Sequence, residues 1–184
     1  YQSDLKISDN ILKQNAELYR KIRNTSRFLL ANVSDLEEIV SVDKMSIFDK
    51  WILNRAKTTF DEIEAAFNVY EFSKGLNRLN NFLVVDLSGT YLDICKDRLY
   101  CDDKNDMHRL ASQSAMAIIA KKLISTLSCI LTYTMDELLE YAPEFIKGDA
   151  KDIFDYKKCV IPDVKIDINE AGLLEAKEKF AEIK

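Results

Sequence analysis

The sequence predicts an all-α protein: a helical bundle followed by a short irregular C-terminal extension. Three observations predict it. Only four Gly and two Pro occur in 184 residues, so few positions interrupt a helix. Apolar residues recur every three or four positions over long stretches, the spacing of a helix face that packs on its neighbours. Side chains suited to capping stand where those stretches begin.

The first helix is expected to start at Ser8 or Asp9 and run to about Ala31. Ile11, Leu18, Ile22 and Leu29, with Asn15 and Thr25 between them, form its packing face. Successive residues turn by about 100°, which gathers Lys13, Arg20, Asn24 and Arg27 into one narrow stripe flanked by Lys21 and Arg23. An acidic loop follows over 32–44. The second helix is predicted over 46–70, and the third over 71–100 with a break or kink at Asp86-Leu87-Ser88-Gly89. A charged turn at 102–106 leads into a fourth helix over 107–133, whose centre is apolar enough to be the most buried. Thr134-Met135-Asp136-Glu137 has capping-box spacing, so a short fifth helix should start there and end near Pro143. The bundle is thus assigned to 1–142 and the extension to 143–184. In that extension 157–168 reads as irregular or weakly stranded, and Asn169 could cap a last helix over 170–184. The chain starts with neither a signal-peptide pattern nor Met, and reads as an excised piece of a longer protein cut inside that last helix.

Composition narrows the function. A net charge of −5, from 26 Lys+Arg against 31 Asp+Glu, argues against indiscriminate nucleic-acid binding. Through Asn32, however, six cations face three anions, and a local basic stripe on an acidic body suits a specific RNA. No apolar run approaches the ~18–20 residues that span a bilayer. Cys95, Cys101, Cys129 and Cys159 show no metal-ligand spacing, so they read as reduced thiols with no metal, in a cytoplasmic protein.

Catalytic motifs are missing from the sequence. Lys44-Met45-Ser46 continues as Ile47-Phe48 rather than as an ATP-holding Lys-Met-Ser-Lys-Ser loop. His108 is the sole histidine, and nothing in the spacing brings it to Cys95 or Cys101. No Gly-rich phosphate loop occurs. The chain itself is read as a binding module without a catalytic residue or cofactor.

Several runs, in order, resemble a known family. Tyr19-Arg20-Lys21-Ile22-Arg23-Asn24-Thr25-Ser26-Arg27-Phe28-Leu29-Leu30-Ala31-Asn32 resembles the opening helix of the anticodon-binding domain of isoleucyl-tRNA synthetases, which are class I aminoacyl-tRNA synthetases. Asp49-Lys50-Trp51 is similar to the family's second helix start. Ser88, then Tyr91-Leu92-Asp93-Ile94-Cys95-Lys96-Asp97-Arg98-Leu99-Tyr100, resembles the close of its third helix, and Arg109 with Gln113 the start of its fourth. Cys129-Ile130-Leu131 through Leu139 is similar to a later element, with Cys129 and Leu139 replacing an expected Pro and Trp. The family's zinc-binding appendage is absent or lies past Lys184.

The resemblance implies a helical bundle that docks on the anticodon stem-loop of isoleucine tRNA. It implies a parent ligase whose catalytic and editing domains lie elsewhere and use ATP, with this piece monomeric and off the membrane. The expected tRNA contacts are Arg20, Lys21, Arg23, Asn24 and Arg27, with Lys96 and Arg98 second; cations hold phosphates while tyrosines and amides probe bases. A related class I module for valine, leucine or methionine, or a helical protein–protein module, are the alternatives.

Overall fold

The computed structural model describes residues 7–165 and Gly172. The last helix expected over 170–184, with its Asn169 cap, lies outside the described residues apart from Gly172. The described elements are helical, and no strand occurs among the described residues.

Helix α1 covers Asp9–Asn32, where the Ser8 hydroxyl accepts from the Ile11 N–H at 3.4 Å. A single 3-10 turn, Val42–Lys44, interrupts the following loop. Helix α2, Ile47–Asn68, opens with a full capping box: Ser46 Oγ accepts from the Asp49 N–H, and Asp49 accepts from the Ser46 N–H. Each exchange satisfies a donor that the helix cannot satisfy itself. Lys44-Met45-Ser46 is therefore a helix entrance, with Met45 buried.

The expected break in the third helix takes the form of a change of winding. Helix α3 (Phe72–Asn81) continues through a π-helical stretch, Phe82–Tyr91, into α4 (Leu92–Cys101), with right-handed helical backbone at both joins. Gly89 makes the wide turn feasible. A Cβ there would lie 2.7 Å from the carbonyl oxygen of Val84, five residues back. The Thr90 hydroxyl also donates five residues back, to Val85 O at 2.9 Å. The wider turn carries both Asp86 and Leu87 into the interior.

Helix α5, Met107–Leu127, is buried nearly all round and packs against α1, α2, α4 and α6. Ala111, Ala115, Ala117 and Ala120 let those neighbours approach closely. It ends six residues earlier than its apolar pattern suggests. The Ser125 and Ser128 hydroxyls turn back onto carbonyls three residues behind, at 3.0 and 2.9 Å, and the chain bends there. Helix α6 (Thr132–Glu140) starts two residues before Thr134, with Leu131 at its N-cap and so no side-chain cap; Thr134 and Glu137 lie within the helix and engage α1.

Helix α7 is the single turn Glu144–Lys147 after Pro143, and 148–165 is irregular. Ile146, Ile153, Ile161 and Val164 nevertheless join the same core as Ile52, Leu53, Phe60 and Leu123. Burying each such side chain is worth roughly 1.5–3 kcal/mol. Lys122, itself buried, reaches Glu64 at 2.5 Å and the Cys159 carbonyl at 3.1 Å, and Lys57 pairs with Asp163, so the tail is tied to α2 and α5.

Candidate nucleic-acid interface

Helix α1 is held from one side only. Ile22, Ser26, Leu29 and Leu30 are buried, and Leu18 and Phe28 pack on the core. The expected packing face stops short of Ile11, which is exposed along with Ile7 and Leu12, because no described element lies beside the first two turns.

The opposite face carries Arg20, Lys21, Asn24 and Arg27, all exposed. Arg20 and Arg27 make no hydrogen bond or ion pair among the described residues. Lys21 reaches Asn80 Oδ1 of α3 at 3.4 Å. Arg23 differs: it is half-buried and bound to Glu137 of α6 at 2.8 Å, with Tyr19 meeting the Thr134 hydroxyl at 3.2 Å beside it. Arg23 thus locates α6 against α1, and part of its guanidinium is already used.

The second expected cluster divides. Lys96 is exposed and linked to Asp93 one turn back at 3.0 Å. Arg98 turns inward. Its Nη1 donates to the hydroxyls of Ser46 (3.2 Å) and Ser112 (3.3 Å), and lies 3.8 Å from the Asp49 carboxylate. That carboxylate is fully buried. It accepts from Tyr91 OH at 2.6 Å, Ser112 Oγ at 3.1 Å, and Ser46 Oγ at 2.6 Å. The knot ties the start of α2 to the π-helical stretch, α4 and α5. Burial first, with Cys95 and Asp49 adding to it, pushes the Tyr91 phenol far above its ordinary pKa. Burial and the Asp49 charge push the neighbouring Cys95 thiol up to about 11, so it is no nucleophile. His108 sits exposed in the first turn of α5.

A second clamp holds the 33–40 loop. Arg109 pairs with Asp35 at 2.8 Å, and Gln113 Nε2 donates to Asp35 Oδ1 at 2.7 Å and to Asn32 O at 2.8 Å. Burial disfavours ionised Asp35, but the hydrogen bonds from Arg109 and Gln113 outweigh it and hold this carboxyl below its ordinary value. Glu64 is depressed likewise: burial opposes ionisation, and Lys122 and Lys158 overcome it.

Sequence reasoning missed Glu137 as the residue that anchors Arg23. It also missed Asp49 as the hub around which the Tyr91 and Arg98 positions are organised. Asp49 stood in the capping-box position, which was the available signal. Among the described residues no group of three or more His, Cys, Asp or Glu could hold a metal ion, the four cysteines are free, and no helix is long and apolar enough to cross a membrane.

The described residues form an all-helical bundle that presents a cationic helix face, a surface whose chemistry suits phosphates. A family model described as the anticodon-binding domain of tRNA ligase matches residues 49–182, and the chain belongs to that family. Within it, the chain is 78% identical over 184 residues to the isoleucine–tRNA ligase of Aliarcobacter butzleri. It is 56% identical over 183 residues to that of a Nitratiruptor species, and 58% over 185 to that of Campylobacter fetus subsp. fetus. Each alignment covers 100% of this chain and 20% of the relative, so the chain spans about a fifth of the length of these ligases.

Proposed function

We propose that this chain docks on the anticodon stem-loop of isoleucine tRNA and orients it for ATP-dependent aminoacylation by a catalytic domain carried elsewhere in the parent ligase. The observation that carries this reading is the α1 face: Arg20 and Arg27 are exposed and unengaged among the described residues, with Lys21 and Asn24 between them. Guanidinium groups present forked donors that match phosphate oxygens, and the helix backbone fixes their spacing. Arg20, Lys21, Asn24 and Arg27 carry the phosphate contacts, Arg23 contributes from its pairing with Glu137, and Lys96 is a peripheral contact. Arg98 acts by positioning α4 against α2. The parent's catalytic and editing domains are the other partners, in the cytoplasm, with this piece monomeric. Docking energy gained at the anticodon end is then available to orient the acceptor end for reaction.

The test is fluorescence anisotropy with isoleucine tRNA and an anticodon-substituted copy across a salt series. Binding that weakens with salt and prefers the natural anticodon is expected. Arg20→Ala with Arg27→Ala should lower the log–log salt slope by about 1.4–1.8, the release expected for two lost phosphate contacts. Salt-insensitive binding, or an unchanged slope in the double variant, would sink the reading.

A further inference from the structure

A second basic surface lies away from α1. Between α5 and the segment after α6, an open cleft of about 510 Å³ is lined by Lys121, Lys147, Lys157 and Lys158, with Tyr156 and Cys159 at its wall and Asp149 and Asp155 among its lining. Lys121 donates to the Phe145 carbonyl at 3.2 Å, and Lys158 pairs with Glu64 at 2.6 Å. The Lys147 and Lys157 side chains make no hydrogen bond or ion pair among the described residues. Glu64 must also serve Lys122. The cleft lining therefore holds four lysines against two aspartates, a local cationic surplus in a chain of net charge −5.

We propose that this cleft is a second phosphate-binding surface for the RNA that α1 engages; the proposal rests on the tRNA reading above. The groups present favour a polyanion's backbone over a single cradled phosphate. Lysines are point charges on flexible stems, without the fixed fork of arginine. The Gly148 N–H, which could have cradled an anion, is spent on the Glu144 carbonyl at 2.7 Å.

The placement favours RNA over other polyanions. One helix separates the cleft from α1. Helix α6 meets α1 through Glu137 and Thr134, leads through Pro143 into α7, and accepts the Ile153 N–H on Asp136 at 2.9 Å. Helix α6 thus links the two basic surfaces through its contacts with α1 on one side and with the segment that walls the cleft on the other. Tyr133 and Tyr141, at the two ends of α6, are 92% and 77% exposed and offer ring faces to unpaired bases between them.

The experiment compares Lys147→Ala with Lys157→Ala, Arg20→Ala with Arg27→Ala, and the four combined, in the 184-residue chain with isoleucine tRNA. Each double variant should lower the salt slope by about 1.4–1.8, and the two losses should add. Acetylation mapped by mass spectrometry should show Lys147 and Lys157 protected by tRNA. If the lysine pair leaves slope and protection unchanged while the arginine pair lowers the slope, the cleft proposal falls and the α1 reading stands. Protection by inorganic tripolyphosphate but not by tRNA would also overturn it. No salt-sensitive binding by the unaltered chain would remove both.

Discussion

Two arginine-bearing regions of this bundle look alike in sequence and behave oppositely in space. On α1, Arg20 and Arg27 extend from a helix whose other face is buried, and nothing among the described residues engages them. On α4, Arg98 is folded into a knot with Asp49, Tyr91, Ser46 and Ser112, its side chain only 23% exposed. All three arginines sit in runs that resemble the same family's motifs. The difference teaches that a charged motif residue declares its role through what already satisfies it. A guanidinium whose donors are used within the fold has little left for a phosphate, whereas an unengaged one on a rigid helix is pre-placed for it.

The largest expected effect breaks the inward region. Asp49→Ala leaves the Arg98 charge and the hydroxyls of Tyr91 and Ser112 without their acceptor, and should cost about 3–5 kcal/mol. In a domain of this size that lowers the melting temperature by on the order of 10 °C, which calorimetry or circular dichroism would register. A loss under about 1 kcal/mol would mean that the knot is dispensable and that Arg98 is free to serve RNA.

Next comes the winding that turns Asp86 and Leu87 inward. Gly89→Ala forces the Val84 carbonyl away from the new methyl group and should cost about 1–3 kcal/mol in urea unfolding. Ala at this position without loss would show that the π-helical turn tolerates a Cβ. In the outward region the ranking of readouts reverses. Arg20→Ala with Arg27→Ala should leave unfolding within about 0.5 kcal/mol, while tRNA affinity and its salt slope fall. A destabilised double variant would place these arginines in the fold rather than at the interface.

The smallest effect concerns acid. Asp35 and Glu64 both have folded-state pKa values below their unfolded ones. Their contribution to stability is therefore present above the ordinary carboxylate pKa, near 4, and is lost as pH falls through the lower folded value. Glu64→Gln should flatten the acid limb of a stability–pH curve and leave the region above about pH 6 with a nearly constant offset. An unchanged acid limb would show that the Lys122–Glu64–Lys158 group is not linked to folding.

Most helices were legible in the sequence because their signals are local. Ser8 and Ser46 start α1 and α2 since a hydroxyl meets backbone donors only a turn away. The interruption at 86–89 announced itself through Gly89, although its π-helical form did not, since that depends on Val84 and Val85 meeting groups five residues ahead. The end of α5 was misplaced because its apolar pattern continues past Leu127, where serine hydroxyls compete for the backbone. The α1 stripe was legible as a face, but Arg23's partner was not: Glu137 lies 114 positions away.

By itself, then, the sequence determined the helical class, most element boundaries and the grouping of cations along one face of α1, since all of these follow from periodicity and caps within a few residues. Tertiary structure alone decided which cations stay outside. Arg98 and Lys122 turn inward because Asp49 and Glu64 wait on a neighbouring helix, and ion pairing away from water needs a partner that only packing can bring. The lysine cleft likewise exists only because the 146–159 segment folds back over α5, fixed by Ile146, Ile153 and the carbonyls that Lys121 and Lys122 reach.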